Sequence, residues 1–213
     1  MIGIAGAIGV GKSSVARALV TDAALARDLG GAVHSFNADD ALREARTKAG
    51  PLRDAIVKLV PAAQGPDGSL DQVLLAHAAF SDPALLRQLE LLQWPVARAA
   101  MHTARDQAVA SGASLLIIEA IALLNSGLVD ELDAYFVLTL PTAERRERSV
   151  ARGMSGTAFD LRDAAQHGLT EALLAAGGVQ VNGRGSVQEV AAVAGRALRL
   201  LCSTDESRSD PAS

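Results

Sequence analysis

The sequence is short of cysteine, of aromatic side chains and of lysine, and each shortage excludes something. A single cysteine, Cys202, leaves no internal disulfide and no cysteine-built metal site. Aromatic residues make up 3% of the chain, so alanine, leucine and valine must fill its core. The only lysines are Lys12, Lys48 and Lys58, and the formal net charge is −4. That balance argues against a large basic surface for holding a nucleic-acid backbone. The most apolar run, Leu115–Leu124, is interrupted by Glu119 and is far shorter than the ~20 residues that cross a bilayer. No basic stretch followed by a long apolar one opens the chain. The expectation is a soluble, cytoplasmic protein with no nucleic-acid and no membrane partner. His34, His77, His102 and His167 are scattered without ligand spacing, so no zinc site is expected.

What is present in quantity is apolar surface. Hydrophobic residues are 49% of 213, enough for one ordinary domain with a sizeable core. Short apolar runs alternate with longer helical stretches, the α/β pattern. Strands are expected at Ile2–Ala5, Ala32–Phe36, Leu115–Ile118, Ala134–Leu140 and Val179–Val181. Helices are expected at Lys12–Leu29 and Val187–Leu201. Between the second and third strands, about Pro51–Ala110 has helical periodicity and no strand signal, broken by the turn chemistry of Gln64-Gly65-Pro66-Asp67-Gly68. It reads as a helical insertion on one side of the sheet. Within it, Leu85–Leu92 reads as an internal packing stripe. A polar tail, Ser203–Ser213, is expected to be disordered, leaving one domain over residues 1–202.

The strongest motif comes first: Gly6-Ala7-Ile8-Gly9-Val10-Gly11-Lys12-Ser13 fits the Walker A pattern G-x-x-x-x-G-K-[ST]. Glycines let such a loop curl so that successive backbone N–H groups, through Ser14, point at a phosphate. The helix starting near Lys12 adds its positive dipole end at the same place. Lys12 can reach the outer phosphates, and the Ser13 hydroxyl can ligate Mg²⁺. The required strand–loop–helix context is met. A guanine-reading N-K-x-D segment and an L-S-G-G-Q run are both missing, which favours a small-molecule kinase using ATP over a GTPase or a transport ATPase.

Several later stretches resemble the dephospho-CoA kinase family in order and spacing. Asn37-Ala38-Asp39, with Arg43 four residues on, is similar to the family's D-A-D and following arginine. Asp67-Gly68-Ser69-Leu70-Asp71, Phe80-Ser81-Asp82-Pro83, and Leu89-Glu90 ahead of Trp94-Pro95 continue the likeness. So do Leu123-Leu124-Asn125-Ser126-Gly127-Leu128, then Pro141 before Arg148 and Arg152, and finally Asn182 with Gly185-Ser186. The resemblance spans nearly residues 1–200. It implies a five-stranded parallel sheet with helices on both faces, a helical acceptor module near 51–110 and a lid near 145–169. It further implies transfer from ATP to the ribose 3′-hydroxyl of dephospho-CoA, with Mg²⁺, in a monomer or small homo-oligomer.

The resemblance gives Asp39 the role of base toward the acceptor hydroxyl. Its alternative is helix N-capping, for which Asn37, Asp39 and Asp40 are all candidates. Arg148 and Arg152 lie four apart on one helical face. In the family such arginines contact ATP phosphates or stack on adenine; the alternative is ion pairing with Glu144 and Glu147. Asn182 is a candidate for hydrogen bonding to adenine, or for forming a turn beside Gly183. Glu119, ending a strand like a Walker-B acid, is a candidate to assist the metal through water.

The likeness is incomplete on the acceptor side and in the lid. The family's histidine before proline is Trp94. Its D-x-P-L-L-x-E segment reads Glu119-Ala120-Ile121-Ala122-Leu123-Leu124-Asn125. Of the lid motif Q-x-x-R-x-x-R only Gln166 remains, with Leu169 and Ala172 in place of the arginines. These changes leave open a paralogue with a different small hydroxyl acceptor, and a nucleotide-binding module without turnover. Trp94 reads first as a core residue and Cys202 as a small apolar one.

Overall fold

The computed structural model describes residues 1–206. Five strands form one sheet: β1 (Ile2–Ala5), β2 (Val33–Asn37), β3 (Leu115–Glu119), β4 (Ala134–Thr139) and β5 (Val179–Asn182). Their order is β2-β3-β1-β4-β5 and every pairing is parallel. β1 and β3 are buried at every position because helices cover both faces, which is why they read as apolar runs, β3 ending on the buried Glu119. The chain leaves β1 for one side of the sheet and reaches β4 on the other. The order therefore reverses beside β1, where α/β sheets open a crevice at the strand ends.

One face of the sheet is covered by α1 (Lys12–Val20), α2 (Ala23–Asp28) and α10 (Val187–Glu206), around Ile4, Leu19, Phe136 and Leu198. The expected single helix over Lys12–Leu29 is two. Asp22 accepts from the backbone N–H of Ala24 and Leu25, and this cap starts a new helix. The other face packs Met101, Ile118, Leu123 and Val137 beneath α6 (Pro83–Ala110) and α9 (Leu169–Ala175).

The long segment between β2 and β3 begins with α3 (Ala38–Thr47) and α4 (Pro51–Leu59). A 3-10 turn at Pro61–Ala63 follows, then α5 (Gln72–Ser81) and α6. The turn chemistry at 64–68 makes a tight reversal closed by an antiparallel bridge between Gln64 and Leu70. These helices have a cluster of their own, with Ile56, Leu75 and Leu89 at its centre. Of the apolar stripe in α6, Leu85, Leu86 and Leu89 pack inward while Leu91 and Leu92 are exposed. After β4 come α7 (Thr142–Ala151), α8 (Gly156–Ala165) and α9.

Helix α10 runs on to Glu206, past the expected end of the domain at 202, since Ser203-Thr204-Asp205-Glu206 holds no glycine or proline to stop it. The rest of the expected tail lies outside the described residues. Cys202 is exposed rather than packed. Among the described residues no helix is long and apolar enough to cross a membrane.

Candidate active site

The loop between β1 and α1 curls as its glycines predict. Gly9 has φ +82°, and a Cβ there would meet the Arg145 carbonyl and the Ser149 hydroxyl, so side chain and backbone both demand glycine. Lys12 folds back and donates to the Gly6 carbonyl at 2.8 Å. Burial pushes its pKa down, while Asp39 and Glu119 nearby pull it back toward the charged form.

Asp39 stands in the first turn of α3. The helix cap is Asn37, whose Oδ1 accepts from the Asp40 N–H at 3.0 Å. Asp39 is therefore released from capping. Its carboxylate accepts from the Ile121 N–H and faces Lys12, and burial raises its pKa against the pull of that lysine. Glu119, 5% exposed at the end of β3, also has a raised pKa, because burial outweighs the Ser13 hydroxyl and Lys12. Asn37 Nδ2 donates to Glu119 Oε2 at 3.3 Å and lies 3.4 Å from Ser13 Oγ. Asn37 thus does two jobs: it is the helix cap, for which the sequence offered it as a candidate, and it reaches Glu119 and Ser13, which the sequence did not signal.

Two cavities flank this centre. A groove of about 430 Å³ runs beside the loop between Gly9–Gly11, Arg148, Arg152, Gly183 and Ser186. Arg148 donates to the Gly183 carbonyl at 3.2 Å, and Arg152 Nε to the Arg148 carbonyl at 3.1 Å. Neither is held by Glu144, which Arg184 binds at 2.7 Å. Asn182 does not join the groove. Its Oδ1 accepts from the Arg184 N–H at 3.0 Å, making the turn, and its side chain lines a separate recess with Pro141 and Arg184.

The second cavity, about 370 Å³, lies between α3, α6, the loop after β3 and the α8–α9 connection. Asp39 and Gln166 border it, and so do Trp94 and Asn125, two of the departures from the family pattern. Trp94 is not a core residue; it lines this cavity with the Arg87 guanidinium 4.4 Å above its ring.

Sequence reasoning missed Arg145. Its side chain is 9% exposed and donates to the carbonyls of Leu140 (3.0 Å) and Ile8 (3.1 Å), to Thr142 Oγ1 and to Asp163. It ties α7 and α8 to the phosphate loop. An arginine among several in α7 gives no sign of burial; only the packing singles it out. Gln166 completes this junction, its Oε1 accepting from the Ile8 N–H at 2.7 Å.

A parallel sheet with a lysine-bearing phosphate loop at its switch point, a buried carboxylate facing that lysine and a separate cavity behind the carboxylate define a phosphate-loop kinase fold. The family model for dephospho-CoA kinase matches residues 1–188. Two relatives named dephospho-CoA kinase are similar to the chain. The one from Symbiobacterium thermophilum is 30% identical over 95% of this chain and 81% of its own length. The one from a Jannaschia species is 34% identical over 72% and 73%. A crystal structure of a Thermus thermophilus protein superimposes with TM-score 0.67 at 28% identity, covering 95% of this chain and 96% of that one. The solved structure of dephospho-CoA kinase from Campylobacter jejuni, 16% identical, shares the fold with TM-score 0.57, covering 93% of this chain and 96% of that one. The chain belongs to the dephospho-CoA kinase family. It is a small-molecule kinase, a transferase, and its family implies the use of ATP.

Proposed function

We propose that the protein transfers the terminal phosphoryl group of ATP to the 3′-hydroxyl of dephospho-CoA. The observation that carries this reading is the cavity with Asp39 at its edge: an acceptor hydroxyl lying there meets a buried carboxylate on the side facing Lys12. In this reading the loop amides from Gly6 to Ser14 and the Lys12 ammonium hold the phosphates. Arg148 and Arg152 border the groove that takes the nucleoside of ATP, and Arg148 adds positive charge toward the transferred group. Asp39 accepts the proton of the hydroxyl as the new P–O bond forms and ADP departs.

Ser13, Asn37, Asp40 and Glu119 line a small recess beside the loop together with Arg17, and the hydroxyl and carboxylate oxygens among them suit a hard cation such as Mg²⁺. Bound with ATP, that ion would neutralise charge on the phosphates. Ser13 is its direct ligand in this reading, and Glu119 holds its water. The helices over 51–110 serve as the acceptor module and the segment 145–169 as the lid, all within one domain.

A second reading keeps this machinery and changes the acceptor; it is favoured by Trp94 and Asn125, which stand in the acceptor cavity where the family has a histidine and a glutamate. One experiment separates the readings. Dephospho-CoA is incubated with the protein, ATP and Mg²⁺, with Lys12→Ala as control, and the products are weighed by mass spectrometry. A gain of one phosphoryl group with the unaltered protein alone supports the first reading. No gain, with ATP binding intact, overturns it and directs the search to other hydroxyl acceptors. ATP binding without transfer to any of a broad acceptor panel would mean a module without turnover.

A further inference from the structure

Resting on that reading, the acceptor cavity holds a second feature that the transfer chemistry leaves unused. Among the residues lining it, Arg46 is the one lysine or arginine. Its guanidinium is held in place: Nη1 donates to Gln93 Oε1 at 2.5 Å, and Gln93, itself 9% exposed, is locked by donating from Nε2 to the Leu89 carbonyl at 2.9 Å. The amide of Gln93 is thus used on both sides, and Arg46 cannot swing away without breaking a pair on α6. Yet Arg46 Nε is buried and has no hydrogen-bond partner. A buried N–H of a charged group is costly to leave unpaired, so a cation fixed in this state is arranged for something that arrives.

Where it points follows from the helix. Asp39, Leu42 and Arg46 all line the cavity, at spacings of three and seven residues along one face of α3. Two turns separate Asp39 from Arg46, a rise of about 10 Å, and arginine side chains lean back toward the helix N-terminus, which shortens that gap. An acceptor with its hydroxyl at Asp39 therefore brings toward the guanidinium the groups that lie a few bonds beyond that hydroxyl. In dephospho-CoA the 5′-diphosphate leaves, through one methylene, the ring carbon next to the one that bears the 3′-hydroxyl, and it is the charged group within that reach. The other carboxylate of the cavity, Glu90, lies within 3.6 Å of Arg87 and so is partly neutralised.

We infer that Arg46 is the specificity residue for the acceptor's diphosphate, its guanidinium supplying the cavity's one lysine or arginine charge to the phosphate while Asp39 meets the sugar hydroxyl. The charge and planar donor geometry of arginine suit a phosphate oxygen better than a sugar hydroxyl or a base nitrogen.

The test uses the full chain with Arg46→Met, which keeps the length and apolar stem of the side chain, and Arg46→Lys, which keeps the charge. In Arg46→Met the KM for dephospho-CoA is expected to rise at least tenfold, with kcat within about threefold and the KM for ATP unchanged; Arg46→Lys should recover part of the loss. Adenosine, which has the 3′-hydroxyl and lacks the diphosphate, is added as a competitor at saturating ATP, and its inhibition constant should be the same in unaltered and Arg46→Met protein. An unchanged KM for dephospho-CoA overturns the inference. So does a fall in kcat alone, which would place Arg46 in control of Asp39, or an equal weakening of adenosine, which would place it on the sugar or base. A rise in the KM for ATP as well would show general distortion and also count against it. Absence of turnover by the unaltered protein overturns the underlying reading and the inference with it, and is seen before any variant is compared.

Discussion

At the scale of single residues, the site turns on which carboxylate is free to react. Three acidic or amide side chains stand at the start of α3, and only one can be the cap. Asn37 takes that place, leaving Asp39 buried beside Lys12. Burial raises the pKa of Asp39, so it takes up its proton at a higher pH than an exposed aspartate does. In the proposed reaction the ionised form is the base. Transfer should therefore fail as pH drops through that raised value, and recover above it. The acid limb of kcat against pH should lie above the ordinary aspartate range, near 4; a limb within that range would contradict the assignment. Asp39→Asn should lower kcat by about 10²–10⁴-fold, the usual worth of a positioned base, while ATP binding stays intact. A variant retaining most of its activity would remove Asp39 from the role.

At the scale of elements, the contact between the α8 end and the phosphate loop has a consequence for nucleotide binding. Gln166 Oε1 occupies the Ile8 N–H, a donor of the kind the loop presents to phosphate oxygen. Arg145 holds the same junction from α7 through Ile8 and Asp163. A phosphate oxygen arriving at Ile8 must displace the carboxamide, whose hydrogen bond is worth about 0.5–1.5 kcal/mol net. Gln166→Ala should therefore tighten ATP binding, by roughly 2–10-fold, in titration calorimetry. Weaker binding would mean that the carboxamide contacts the bound nucleotide instead. The elements themselves were largely legible: all five strands, the helical insertion and the break at 64–68 follow from apolar period and turn chemistry. The break of the first helix was not, because Asp22 in mid-pattern announces a cap only once its side chain is seen on the Ala24 and Leu25 amides.

At the scale of the whole molecule, the groove proposed for the nucleotide is assembled from segments far apart in the chain: the loop before α1, the end of α7, and the turn between β5 and α10. A ligand there binds the folded state alone and ties these segments together. ATP at 100 times its Kd should stabilise the fold by about 2.7 kcal/mol. For a chain of this size that raises Tm by roughly 5–10 °C. Lys12→Ala should show little of this shift in a thermal melt, and no shift in the unaltered protein would contradict nucleotide binding.

The sequence by itself determined the sheet, the phosphate loop and the family, because these rest on local rules: apolar period, glycine conformational freedom, and a lysine at fixed spacing from the loop. It also named Lys12, Ser13, Asp39, Glu119, Arg148 and Arg152, each within or beside such a pattern. Only the tertiary structure decided what meets across long separations. It brought Trp94 and Asn125 to one cavity, and buried Arg145 and the Nε of Arg46. Burial and partner choice depend on packing between segments 40 to 160 residues apart, as in the pairing of Arg46 with Gln93 (47 apart) and of Ile8 with Gln166 (158 apart). No local pattern encodes such pairings, since an exposed arginine and a buried one have the same neighbours in sequence.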